Sequence, residues 1–229
     1  MGPPVRLFPE IPIRIRRDRI RGQMGYPPDA RISDSILRRI EGLIDRFLPL
    51  ARPAGTYRIF EVQDLAPGSV TVEGGISFRG AVREYLGEID RLAAFIATAG
   101  EEIYRQAQDE LRAGHALEGM VANAVGSEAA DCATEEVVAR IREEAGAEGR
   151  AITLPYSPGY CGMDIREQAS IFAALDGGAI GVSLLPSFIM SPVKSVSGII
   201  GMGPSAGIVS AGSPCERCEK EDCMMRRYA

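Results

Sequence analysis

The sequence predicts an α+β domain with a mostly antiparallel twisted sheet and several helices. Three observations carry that expectation. Short β-rich pieces sit side by side with hairpin-like connections, the helices between strands are of unequal length, and no regular βαβ alternation runs along the chain. With 229 residues, 45% of them apolar and 25% charged, the chain is long enough for one sizeable core and is neither a disordered nor a coiled-coil sequence.

In chain order, residues 11–15 (Ile-Pro-Ile-Arg-Ile) read as a short extended piece running into a polar segment that stops near Gly25 and the Pro27-Pro28 pair. Ser33 is placed to cap a helix in which Ile36, Leu37, Ile40, Leu43, Ile44, Phe47 and Leu48 recur at helical spacing. Residues 56–62, 69–72 and 76–78 then predict a small antiparallel unit around the Gly74-Gly75 pair. Residues 92–98 form a short, wholly apolar run followed at once by Gly100, which reads as a buried strand feeding a helix from Glu101 to Gly114. A longer helical region spans roughly 115–146, with Gly126 as a possible break.

In the last third, residues 151–154 read as a strand, 155–163 as a loop and 165–175 as a helix. Asp164 is its cap, with Glu167 completing a reciprocal pattern like a capping box. Residues 180–185 and 196–200 are expected as two further core strands. With no internal repeat and no low-complexity linker, residues 1–212 are expected as one domain, with 213–229 as a Cys-rich tail packed on it.

The formal charge of -5 provides no overall field for nucleic acid, and nucleic acid is not an expected partner. Arg6, Arg14, Arg16, Arg17, Arg19 and Arg21 make one local basic cluster, offset by Glu10 and Asp18. Such runs are most often a solvated face, and the sharper reading is a docking face for an acidic protein. The longest apolar stretch, 179–190, is broken by Ser183, Pro186 and Ser187 and falls short of the roughly 20 residues of a membrane span. No secretory pattern opens the chain, so no membrane partner is expected and the cytoplasm is the expected compartment.

Five cysteines in such a context point to thiol or metal chemistry rather than a disulfide framework. Cys215, Cys218 and Cys223 form a C-x2-C-x4-C run in a polar tail, a spacing that lets adjacent thiolates wrap one metal or cluster. Cys161 is the expected fourth ligand. Cys132, among Ala129, Ala130 and Ala133, reads as a small core residue. Zinc and an iron–sulfur cluster use the same ligand type, and spacing does not separate them. Unmetallated thiols are the plainer alternative.

His115, the only histidine, reads as a solvent-facing residue at a helix start, which leaves no nucleophile–histidine pair for hydrolytic chemistry. Gly198, Gly201 and Gly203 lack the spacing and following helix of a dinucleotide loop. Ser195 and Ser197 alternate about Val196 and share one face of a strand, commonly just the wetter face of a sheet.

Ser157-Pro-Gly159-Tyr160-Cys161, then Ser187-Phe-Ile-Met190-Ser-Pro192, then Ser195-Val-Ser197-Gly198 occur in that order. Together they resemble the activation domain of cobalamin-dependent methionine synthase, with a C-terminal Cys motif added. The resemblance implies that Gly159, Tyr160, Ser195, Ser197 and Gly198 border a cofactor site. It also implies S-adenosylmethionine as ligand, a corrinoid-binding protein or cobalamin-dependent methyltransferase as partner, and cobalamin supplied by that partner.

Two departures count against ordinary S-adenosylmethionine binding. Pro155 stands where the family has an Arg, the natural clamp for a carboxylate, and Ile200 stands where the family has a Tyr. The leading expectation is therefore an accessory protein for reductive activation, with Cys161, Cys215, Cys218 and Cys223 holding an iron–sulfur cluster fed by an electron donor protein. The alternatives are a zinc-stabilised docking module and an S-adenosylmethionine-binding remethylation domain.

Overall fold

The structure, a computed structural model, describes residues 4–27 and 30–208. Strand β1 (Arg6–Phe8) leads past the buried Ile11 to helix α1 (Arg17–Gln23) and then α2 (Asp34–Phe47). A meander follows: β2 (Ala54–Ala66), β3 (Ser69–Val72) and β4 (Ile76–Arg79). The short α3 (Val82–Leu86) connects to β5 (Arg91–Thr98), and α4 (Glu101–Arg112) and α5 (Ala116–Ala147) come next. The rest comprises β6 (Ala151–Ile152), α6 (Gln168–Ala174), the two-residue strands β7 (Ser183–Leu184) and β8 (Met190–Ser191), and β9 (Ser195–Gly203).

The main sheet runs β4-β3-β2-β5-β9-β6, with β1 added on β2, and each pairing is antiparallel. The expected fold class is thereby met. Strand β5 is the axis: Ala94 pairs with Arg58 on one side and Ile199 on the other, and eight residues are in register with each neighbour. Its alternation divides the core. Leu92, Ala94 and Ile96 join Phe60, Val70, Phe78 and Ile171 on one face. Ala93, Phe95 and Ala97 join Val137, Ile141 and Ile200 on the other, under the second half of α5. The first half of α5 leaves the sheet and packs with α1, α2 and α4 around Phe47, Ile103 and Val125.

Several local expectations meet a different outcome. Gly126 does not break α5; a Cβ there would lie 3.3 Å from Ile103 Cγ1 and from Lys194 Cγ, so the missing side chain admits two neighbours. Residues 11–15 join no sheet, and Ile11 donates its amide to Pro53 O at 2.8 Å. Residues 180–185 are also not a core strand. Asp176 accepts the Gly178 amide and starts a 3-10 turn over Gly177–Ile180, and Gly181, in the left-handed region, ends it before the short β7. Ser33 precedes α2 as expected, yet its hydroxyl meets Ser35 rather than a backbone amide.

Five of the six arginines of the basic cluster are paired from within. Arg6 pairs with Glu144 at 3.0 Å, Arg16 with Glu128 at 2.8 Å and Glu135 at 2.9 Å, and Arg21 with Glu41 at 3.1 Å. Arg17 reaches Glu41 and Asp45, and Arg19 reaches Glu135. These contacts strap the N-terminal segment across α2 and α5, leaving little of the cluster for an acidic partner.

Two predictions follow from this packing. Phe95 is fully buried, so Phe95→Ala is expected to lower unfolding free energy by about 3–5 kcal/mol, read as a shifted denaturation midpoint with unchanged slope. The Arg6 guanidinium holds the Glu144 carboxyl below the usual carboxylate range, against burial and aided by the Tyr57 hydroxyl. That stabilisation is fully present above the unfolded-state value of about 4.3 and is lost as pH falls through the lowered folded value. Amide exchange in β1, corrected for intrinsic rate, should therefore speed up below about pH 4; unchanged protection down to about pH 3 would show that the pair does not hold the strand.

Candidate functional site

The segment after β6 closes over β9. Tyr156 and Ile199 exchange both backbone hydrogen bonds at 2.9 Å, which carries the following loop outward from the sheet. The loop is tight. Tyr160 N reaches Ser157 O at 3.2 Å, Met163 N reaches Tyr160 O at 2.9 Å, and Gly159 N closes on Met163 O at 2.8 Å. Gly159 and Gly162 take φ of +88° and +84°, and between them Cys161 takes φ of +48°. A side chain in that region is held at a cost of order 1 kcal/mol, so the surroundings must enforce it.

Tyr156 is the enforcing group. Its ring is buried and stacked on Tyr85 with centroids 4.8 Å apart. Its hydroxyl donates to Cys161 O at 3.0 Å and accepts from Ala81 N at 3.2 Å, tying the loop to the end of the β4 segment. Burial pushes its pKa up to about 12, so it remains a donor across the ordinary pH range. Gly80 makes room for this: a Cβ there would lie 2.8 Å from the Tyr156 hydroxyl.

Beside this junction lies a groove of about 560 Å³, lined among others by Arg79, Gly80, Gly162, Arg166, Glu167 and Phe188. Phe188 has φ of +61°, and it and Cys161 are the two non-glycine residues with positive φ among the described residues. Both lie at the groove or on the loop that forms its wall, a concentration of backbone strain typical of binding sites. Asp164 caps the turn as expected, accepting from Arg166 N at 2.8 Å. It also holds the Arg166 guanidinium through Nε at 2.9 Å and Nη2 at 2.6 Å, which lowers its own pKa to about 2. Glu167 does not return to the cap. Its Oε2 accepts from Arg79 N at 3.0 Å and so joins α6 to β4 across the groove.

The expected site residues fall into two groups. Gly159, Tyr160 and Cys161 share the outer loop, where Tyr160 is 53% exposed. Ser197 is buried behind the loop and donates to Gln168 Oε1 at 2.6 Å, while a Cβ on Gly198 would lie 2.8 Å from Ser157 Oγ and 2.9 Å from Tyr156 O. Ser195 is set apart at the start of β9, donating to Pro192 O at 2.7 Å and Thr98 Oγ1 at 2.9 Å. Sequence reasoning missed Arg79, Arg166, Phe188 and Tyr156. The one available signal was the Asp164 cap, which sets where the helix wall of the groove begins.

Cys215, Cys218 and Cys223 lie outside the described residues. Among the described residues no three His, Cys, Asp or Glu side chains come together to hold a metal. Cys132 is buried in α5, donating to Glu128 Oε1 at 3.4 Å and Arg14 O at 3.5 Å, and burial with the Glu128 charge pushes its thiol up to about 12. Such a thiol is a poor metal ligand. Cys161, partly exposed on its strained loop, is better placed. His115 is an exposed residue at the α5 cap, its Nδ1 2.8 Å from Glu110 Oε2.

An antiparallel sheet whose last full strand is covered by a strained Gly-Tyr loop, with a charged groove between loop, sheet and helix, makes this an α+β domain with one built cleft beside that loop. The family follows from the sequence: the profile described as "Vitamin B12 dependent methionine synthase, activation domain" matches residues 80–227, and the chain belongs to that family. The structure is similar to a crystal structure of the MetH reactivation domain bound to AdoHcy, with a TM-score of 0.63 and 17% sequence identity. The match covers 90% of this chain and 82% of that one. No curated protein sequence matches. Among the described residues, no helix is long and apolar enough to cross a membrane.

If Tyr156 enforces the loop, Tyr156→Phe should cost about 1–2 kcal/mol, because it leaves Ala81 N and Cys161 O without their shared partner. The loss should appear in amide exchange at 81 and 159–163 as well as in global unfolding. Tyr160→Ala, at an exposed position, should leave stability within about 0.5 kcal/mol of wild type.

Proposed function

We propose that this protein is an accessory partner in the reductive activation of a cobalamin-dependent methyltransferase such as methionine synthase. The observation that carries the reading is the family match over residues 80–227, which includes the whole Gly-Tyr loop and every lining residue of the groove except Arg79. In this reading the loop side of the domain docks on the corrinoid-bearing protein, which supplies the cobalamin. Tyr160, half-exposed on a loop that Tyr156 keeps in shape, suits a contact of this kind.

The finer part of the reading is that Cys161 with Cys215, Cys218 and Cys223 holds an iron–sulfur cluster, with zinc as the alternative. The surface position of Cys161 and its distance in character from the buried Cys132 support its choice as the fourth ligand. When bound, a four-thiolate cluster supplies a one-electron carrier that an external donor protein could load. A second reading, an S-adenosylmethionine-binding domain, is favoured by the groove beside the loop and by the AdoHcy held in the similar crystal structure.

Metal and acid-labile sulfide analysis of anaerobically purified protein, with an absorption spectrum, separates these readings. Iron and sulfide in wild type, lost in both Cys161→Ser and Cys218→Ser, is the expected result. Stoichiometric zinc would make the protein a docking module without a redox step, and a metal-free protein would leave the ligand-binding reading.

A further inference from the structure

Of the 26 Lys and Arg residues in the chain two are lysines, Lys194 and Lys220, and Lys194 is the only lysine among the described residues. A guanidinium stays charged at any ordinary pH, whereas a lysine amine can give up its proton and become a nucleophile. Lys194 lies in the turn between β8 and β9, partly exposed, and the fold holds it along its length. Its carbonyl accepts from Ala99 N at 2.8 Å and from Thr98 Oγ1 at 3.3 Å. Its stem passes over Gly126 of α5, where a Cβ would come within 3.3 Å of Lys194 Cγ. Its Nζ donates to Ser127 Oγ at 2.7 Å, and the Ser127 hydroxyl donates in turn to Asn123 O at 3.1 Å. Among the described residues no salt bridge includes Lys194. The charge that reaches it is Asp131, one turn further along α5. Asp131 accepts from Gln23 Nε2 at 3.2 Å and faces Glu128 and Glu135 on its own helix and Arg16 and Arg19 around the start of α1. Burial pushes the Lys194 amine down from its ordinary range, against the Asp131 charge, and pushes the Asp131 carboxyl up, aided by Glu128.

We propose that Lys194 is an acylation site, an amine fixed between α5 and β9 that a small acyl phosphate modifies. The ammonium first gives one proton to solvent. The free amine then attacks the acyl carbon, a C–N bond forms, and the bond from that carbon to the bridging oxygen breaks, its electron pair leaving with phosphate. The second proton passes from nitrogen to the departing phosphate. The product is a neutral amide whose remaining N–H can still donate to Ser127 Oγ, so the tether to α5 survives while a half-buried charge is removed. The modification thus exchanges charge for bulk at the start of β9, beside Ser195, a change that the guanidinium of an arginine in the same place would not undergo. The inference stands apart from the corrinoid and ligand-binding readings, and it involves neither a metal nor the groove.

The test is mass spectrometry of the full chain after incubation with acetyl phosphate, reading the rate of acetylation at Lys194 between about pH 6 and about pH 10. An N-terminally blocked peptide of residues 191–197 supplies the same lysine without the fold. At about pH 7 Lys194 of the folded chain should react about threefold faster or more than the peptide, because a lowered amine holds more of its neutral, nucleophilic form. That advantage should shrink toward about pH 10, where the peptide amine also loses its proton. Asp131→Asn, which keeps an oxygen acceptor for Gln23, removes the charge that favours the ammonium and should move the folded chain's profile to lower pH. A Lys194 that reacts at the peptide's rate or more slowly at about pH 7 overturns the proposal. So does a profile that Asp131→Asn leaves in place.

Discussion

Burial of β5 on both faces is the constraint from which the remaining architecture follows. A strand with apolar neighbours above and below cannot slip by one residue without exchanging its two sets of contacts. Leu92, Ala94 and Ile96 would have to trade places with Ala93, Phe95 and Ala97. Its register therefore fixes β2 on one side and β9 on the other, over eight residues each. Because β9 is fixed, so is the Tyr156–Ile199 pairing that launches the Gly-Tyr loop. Because β2 is fixed, so are the meander strands that bring Arg79 and Gly80 to the groove. The site is assembled from two distant parts of the chain that this strand brings into register and that then meet directly, through Tyr156 with Ala81 and Glu167 with Arg79.

Small residues make that assembly dense. Gly55 would place a Cβ 2.5 Å from Val137 Cγ2, and Gly201 one 2.5 Å from Ile89 Cγ2, so α5 and the β5 connection press directly on backbone. The same device at Gly198 lets residues 156–157 lie flat against β9. Function and packing use the glycines in one way: they set how close a second segment can approach.

Much of this was legible in the sequence, for physical reasons. The apolar run at 92–98 reads as a doubly buried strand because no polar residue interrupts it, and the amphipathic spacing after Ser33 survives as α2 because one side of it faces solvent. The segment at 180–185 misled because apolar content alone does not make a strand. Asp176 and Gly181 bracket a turn, and such signals outweigh hydrophobicity over six residues. The arginine cluster was legible as charge but not as partnership, since its acids lie 20 to 138 positions away. The motifs at 157–198 located the loop and the family correctly. They could not reveal the groove, whose second wall comes from β4 through a backbone amide that no side-chain pattern records.

The stacked Tyr85–Tyr156 pair has a practical consequence in optics. The chain contains no tryptophan and seven tyrosines, so its near-ultraviolet absorption and dichroism come chiefly from phenol rings. Rings 4.8 Å apart and nearly parallel couple their transitions, and one of them has its hydroxyl bonded both to Cys161 in the loop and to Ala81 after β4. Spectral changes assigned to that pair would thus report the shape of the loop from inside the unmodified protein, with no label attached.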